Sequence, residues 1–261
     1  MTEMHQAPHT DHAPFLAHHF DSPRQQFAAG KLGMWLFLLT EILLFGGLFC
    51  AYSVYRANHP EMFQDGHLFL DRYLGAVNTC VLIFSSLTMA LAVSAAQTGR
   101  RALLIASLAI TLLCSVGFMG VKSVEYKAKW DHGLVPGQER IAWFLAFGWL
   151  KKDSPAPNRG FQPDAEYVRE HLAAHGEKLD DAEAARRAAM LFPFFGCYFG
   201  MTALHGLHVL AGMLAITWVL VRAVKGHFGP MYFGPVDFVG LYWHLVDLIW
   251  IYLFPLLYLI H

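Results

Sequence analysis

Charge is what this sequence has least of. Of its 261 residues only 15% are Asp, Glu, Lys or Arg, against 56% hydrophobic, where a soluble domain carries about 25% charge. That shortage excludes an ordinary soluble protein and points to an integral membrane protein. The signs nearly cancel, with 19 basic and 20 acidic residues, so there is no bulk attraction to nucleic acid and none is expected as a partner. Cysteine is also sparse. Cys50, Cys80, Cys114 and Cys197 each lie in an apolar run, and no two form a C-x-x-C pair. This argues against a disulfide framework or thiolate metal site and predicts buried, inert thiols. Basic residues are missing before Arg24, although five histidines (His5, His9, His12, His18 and His19) occur there. A secretory signal needs a basic start and a short apolar core, and a transit peptide is Arg-rich. Neither is expected, which fits a bacterial inner membrane. Residues 1–27 read as a polar, His-rich, solvated cytoplasmic tail. Internal repeats are lacking.

Long apolar runs are what the chain has instead. Five are long enough to cross ~30 Å of hydrocarbon at ~1.5 Å per residue. They lie at about 32–55, 73–96, 102–124, 191–221 and 238–260. The predicted fold is an all-α membrane protein of five transmembrane helices, with a large extracytoplasmic insert between the third and fourth. Its regions are the tail, helices 1–3 over 28–126, the insert over 127–190 and helices 4–5 over 191–261. The last two helices are joined by a turn containing Gly226, Gly229, Pro230, Gly234 and Pro235. Arg24, Lys31, Arg100, Arg101, Arg222 and Lys225 flank one side of the membrane, and Arg56 and Arg72 the other. The positive-inside rule then gives a cytoplasmic N-terminus and a periplasmic C-terminus. In the insert, the aromatic run Ile141–Leu150 is too short to span, and Trp143 and Trp149 suit the headgroup level. A Pro-rich linker follows over Asp153–Pro163, then a helical stretch over Asp164–Met190.

Ionisable groups inside these runs carry the functional information, because each costs about 2.5–3.5 kcal/mol at the bilayer centre unless partnered. Glu41 lies ~15 Å deep in the first span and must be neutral or paired. It is either a proton-relay or regulatory carboxyl or a hydrogen bond between two helices. His205 and His208, three residues apart, are expected to share a helix face at a similar depth. Either could contact Glu41, and a haem or metal site is the rival reading. His244 and Asp247 repeat that spacing and are expected to form a buried hydrogen-bonded pair or, alternatively, a transport site. Glu125 and Tyr126 close the third span. Asn78, Thr79, Ser85 and Ser86 are material for interhelical hydrogen bonds, while Gly46, Gly47, Gly117, Gly120 and Gly212 permit close helix approach. Arg222, Lys225 and His227 are placed to hold lipid phosphates or simply to obey the charge rule.

Five motifs run in a family's order. They are Gly33-Met-Trp with Thr40-Glu41-Ile-Leu-Leu-Phe-Gly-Gly; Asn78-Thr79 with Ser85-Ser86; Lys122-Ser-Val-Glu125-Tyr126; Phe199-Gly-Met-Thr202-Ala-Leu-His205-Gly-Leu-His208; and Tyr242-Trp243-His244-Leu-Val-Asp247-Leu-Ile-Trp250. Across about 28–126 and 191–260 the chain resembles subunit III of the haem–copper (aa3-type) cytochrome c oxidases. The resemblance implies a helical bundle beside the catalytic subunit of a proton-pumping oxidase that reduces O2 to water. It implies no catalytic residue, haem or copper in this chain, those cofactors residing in subunits I and II. It implies bound phospholipid and a supporting role in assembly and proton uptake. The family's membrane carboxyl maps onto Glu41 and its paired histidines onto His205 and His208. Glu125, His244 and Asp247 complete the proton-related or buried polar set. Arg222 falls where the family has a basic residue near lipid phosphate, with Lys225, His227 and Trp243 as further lipid contacts. Two departures stand out. Many members have seven spans rather than five, and the 127–190 insert replaces a short link. The insert is expected to cap the outer face and meet a neighbouring subunit, cytochrome c or another respiratory complex. The alternatives are an accessory chain of a quinol oxidase or nitric oxide reductase; a free-standing proton-coupled transporter, whose inverted repeats are not found; and a membrane cytochrome using His205, His208 and His244.

Overall fold

The structure, a computed structural model, describes residues 16–17, 20–137, 161, 163–176 and 179–260. These residues form helices α1 (Pro23–Asn58), α2 (Pro60–Leu68), α3 (Arg72–Gln97), α4 (Arg101–Asp131), α5 (Ala165–Ala174), α6 (Asp181–Met190), α7 (Phe192–Val224) and α8 (Gly234–Tyr258). Among the described residues, five segments are long and apolar enough to cross a membrane: α1, α3, α4, α8 and the run of α6 into α7. The helix starts are legible in local chemistry. Ser22 accepts from Gln25 N ahead of Pro23, and Asp71, Asp164 and Asp180 cap α3, α5 and α6 through first-turn amides. Such caps contribute about 0.5–2 kcal/mol each. Proline sits at the start of α1, α2, α7 and α8, where its missing N–H costs nothing.

The core lies where α3, α4, α7 and α8 pack on one another, and α1 leans on α7 and α8 from one side. Apolar surface points outward, as it must when the solvent is hydrocarbon. Leu32, Trp35, Leu36, Leu39, Ile42 and Leu43 of α1 are all exposed. The same inversion corrects the expectation for the thiols: all four are free, but Cys50 and Cys80 are exposed and Cys114 and Cys197 half-buried. It also separates the glycines. A methyl group on Gly212 would stand 2.8 Å from the Trp243 ring, whereas Gly46, Gly47, Gly117 and Gly120 have nothing within 4 Å. Only Gly212 of that set makes a close approach; the other four face open space.

Two boundaries differ from the sequence expectation. The helix α4 does not end near 124 but continues to Asp131. Of its late charges, Lys122 and Lys129 both pair with the Glu125 carboxylate, so the helix carries them as a buried cluster instead of ending there. The stretch Asp164–Met190 is two helices rather than one, broken after His175 by Gly176 at φ 96°, a left-handed conformation that suits glycine. These two helices pack together over α2 and the start of α7. Val168, Leu172, Ala184 and Ala188 are buried there, Arg187 pairs with Asp65 at 3.2 Å, and His171 Nε2 donates to the Leu68 carbonyl at 3.0 Å. Tyr167 stacks on His132 at 3.7 Å, and burial pushes its phenol pKa up. The tail histidines, the aromatic run with Trp143 and Trp149, and most of the Pro-rich linker lie outside the described residues.

Candidate functional site

The Glu41 carboxyl, half way along α1, meets His208 of α7, with Oε2 2.7 Å from Nε2 and each side chain 15% exposed. The other ring nitrogen, Nδ1, lies 2.8 Å from the Leu204 carbonyl. A carbonyl only accepts, so Nδ1 carries a hydrogen. Nε2 of a neutral ring is then bare, and a bare nitrogen cannot bond to a carboxylate. The Glu41–His208 contact therefore contains a proton, either as carboxylic acid on imidazole or as carboxylate on imidazolium. Phe45 packs edge-on against the ring at 5.1 Å, and the Tyr242 hydroxyl donates to the His208 carbonyl at 3.0 Å, binding α8 to the same place.

His205 does not share this contact. Three residues are about 300° of helix, so two such side chains point about 60° apart, and here the difference decides the partner. His208 faces α1, while His205 is fully buried between α4 and α8, with Phe118 at 5.7 Å and Trp250 at 5.3 Å. The expected His244–Asp247 pair is also not formed. His244 Nδ1 bonds to Ser86 Oγ of α3 at 2.7 Å. The Asp247 carboxyl is buried beside Ser85 and Ser86 without a hydrogen bond of normal geometry at either oxygen. Trp243, expected at the lipid surface, is instead fully buried and donates to Ser85 Oγ at 3.1 Å. It is held inward by the gap that Gly212 leaves. Among the described residues, no three His, Cys, Asp or Glu side chains are grouped to hold a metal ion.

A second cluster surrounds Glu125, a member of the expected buried polar set, with partners that set does not include. Glu125 Oε2 accepts from Lys122 Nζ at 2.8 Å and Oε1 from Lys129 Nζ at 3.0 Å. Tyr198 of α7 and Tyr258 of α8 donate to Oε1 at 2.8 and 2.7 Å, and Lys122 also donates to the Tyr258 hydroxyl at 2.8 Å. All five side chains are buried. The signal available in the sequence was the Lys–Glu–Lys spacing of three and four residues on one helix face. Next to it, Tyr126 and Thr202 share a 2.5 Å hydrogen bond between α4 and α7. At the opposite end of the bundle, the Arg222 guanidinium lies over Trp218, Phe228 and Tyr232 at 5.0–5.8 Å. Lys225 and His227 are exposed beside it.

Comparison with known proteins agrees with these motifs. The family model described as cytochrome c oxidase subunit III matches residues 190–261. A "Heme-copper oxidase subunit I+III" of Aeropyrum pernix is 25% identical over 95% of this chain, which spans only 24% of that longer protein. A "Cytochrome c oxidase subunit 3" of Thermostichus vulcanus is 28% identical over 88% of this chain and 86% of the relative. A "Cytochrome bo(3) ubiquinol oxidase subunit 3" of Pseudomonas putida is 25% identical over 88% and 84%.

Proposed function

We propose a function from one premise: this chain belongs to the haem–copper oxidase subunit III family. It acts as the non-catalytic third subunit of a proton-pumping terminal oxidase, packed against a haem-bearing subunit I and associated with a copper-binding subunit II. The observation that carries this reading is the relative in which subunits I and III are one polypeptide and which this chain matches over 95% of its length. Fusion preserves function most readily where the two parts already lie side by side. The chain sits in a bacterial inner membrane with its N-terminus cytoplasmic and its C-terminus periplasmic. Arg222, Lys225 and His227 are then at the cytoplasmic surface, where anionic headgroups attract basic side chains. The helices α5 and α6, within the 127–190 insert, form a periplasmic cap facing a neighbouring subunit or the electron donor.

The contribution of the chain to proton uptake is indirect. Glu41 and His208 hold one proton in the membrane interior and keep α1 locked to α7. The donor is a property of the catalytic partner: relatives named for cytochrome c and for ubiquinol lie at similar identity, 28% and 25%, so a quinol oxidase is the second reading.

Affinity purification of the tagged chain from native membranes in mild detergent tests the proposal. The expected eluate has a haem spectrum and contains catalytic and copper-binding subunits identified by mass. A chain that elutes alone and colourless overturns the oxidase reading. The cap is tested separately by deleting residues 139–188: a complex with unchanged assembly and unchanged donor kinetics would remove its role.

A further inference from the structure

Asp247, Asn78 and His205 are buried in the interior of the bundle with polar atoms that find no partner among the described residues, and the reading above does not use them. Asp247 is 2% exposed, Asn78 1% and His205 0%. Both oxygens of Asp247, Oδ1 of Asn78 and both ring nitrogens of His205 lack hydrogen-bond partners among the described residues. They come from α8, α3 and α7, three helices that Trp250 of α8 links. Its ring packs against His205 at 5.3 Å. Its Nε1 donates at 3.1 Å to Thr79, the residue after Asn78. Asp247 lies one helical turn before it on α8. Asn78 also falls on the stripe of α3 that faces α8, between Gly75, which abuts Phe254 and Tyr258, and Ser85, which bonds Trp243.

The hydrogen inventory around Asp247 is short. Ser85 gives its hydroxyl hydrogen to the Leu82 carbonyl at 2.8 Å and accepts from Trp243 at 3.1 Å. It has one lone pair left and nothing to donate. Ser86 shares a hydrogen with His244 Nδ1 at 2.7 Å. Cys114 of α4 is the other titratable group nearby, and no cation lies in an ion pair with Asp247 among the described residues. A carboxylate would find one hydroxyl hydrogen at most, whereas a carboxylic acid could donate to Ser85. His205 has both ring nitrogens unmet, with Lys122 and His208 the titratable groups acting on it. In a membrane interior an unmet polar group is strongly disfavoured, and buried water, typically making about three hydrogen bonds, is the usual remedy.

We infer that the core between α3, α4, α7 and α8 is a hydrated proton-holding site, in which Asp247 is a carboxylic acid joined through internal water to Asn78 and His205. It is separate from the Glu41–His208 pair, which lies on the α1 side of α7. The site does not depend on which oxidase the chain serves, because it is built within this one bundle.

Infrared difference spectroscopy on the intact complex in its native membrane tests it. Replacing Asp247→Asn is expected to remove one protonated-carboxyl C=O band. In the wild type that band moves to lower wavenumber in D2O, since water reaches the group. His205→Gln shifts the band without abolishing it. Loss of carboxylate bands instead, a band that ignores D2O, or one untouched by His205→Gln each overturns the inference. Should Asp247→Asn fail to accumulate, Asp247→Glu must retain a displaced acid band, and its absence is equally fatal.

Discussion

Glu41 and His208 hold one proton between them because a backbone carbonyl has already claimed the other ring nitrogen. This tells two substitutions apart. Glu41→Gln keeps a donor for the bare Nε2, so the complex is expected to assemble with normal haem content and wild-type thermal stability. Glu41→Leu leaves that nitrogen unmet and costs about 1–3 kcal/mol, read as a lower melting temperature of the purified complex. Equal destabilisation by both variants would mean that a full ion pair, not a shared proton, holds the contact. The Glu125 cluster predicts a harsher result. Glu125→Gln leaves Lys122 and Lys129 buried without their carboxylate, and breaking a buried pair in this way costs about 3–5 kcal/mol. Combining it with Lys122→Met and Lys129→Met is expected to recover much of the lost yield. No recovery would show that the two tyrosine hydroxyls, rather than the charges, set the stability.

Among the elements, α4, α7 and α8 are tied twice, by the Glu125 cluster at one end and by aromatic packing along their length. The helix α1 is tied less: by Glu41 to His208, by the Tyr52 hydroxyl to the Leu256 carbonyl, and by Lys31 to Asp237 at 3.3 Å. Close contact between α7 and α8 requires Gly212, since an added methyl group would meet the Trp243 ring at 2.8 Å. Gly212→Ala is therefore expected to cost about 1–3 kcal/mol by overpacking, while Gly46→Ala, with open space around it, is neutral or better because alanine favours helix. Thermal melts of the two variants in one detergent check this; a tolerant position 212 would mean that α8 shifts without penalty.

For the whole molecule, the expected topology puts the α5–α6 cap and the Arg222 corner on opposite sides of the membrane. Labelling of intact spheroplasts with a membrane-impermeant thiol reagent reads this directly. A cysteine introduced as Glu170→Cys, exposed on the cap, is expected to react, and one introduced as Lys225→Cys to react only after lysis. The reverse pattern would invert the orientation and remove the cap from the donor side. The four native cysteines lie in membrane-spanning helices and give little background.

The number and approximate position of the spans were readable from composition and run length, because hydrocarbon tolerates almost nothing but apolar side chains in helices. That Glu41 would need a partner and that His205 would be buried was readable for the same reason. What the linear pattern left open was direction. Whether Glu41 meets His205 or His208 turns on about 60° of rotation of α7, which is set by packing against Trp250 and Phe118. Run length ended α4 near its first lysine, yet Lys122 and Lys129 pair with Glu125 on the same helix while Tyr198 of α7 and Tyr258 of α8 donate to that carboxylate, and charges that are paired and buried among neighbouring helices do not end a helix. Trp243 was expected to contact lipid and is core because Gly212 makes room for it. Hydrophobicity is a property of a segment and is legible along the chain; a hydrogen bond needs two partners, and only the tertiary structure chose them.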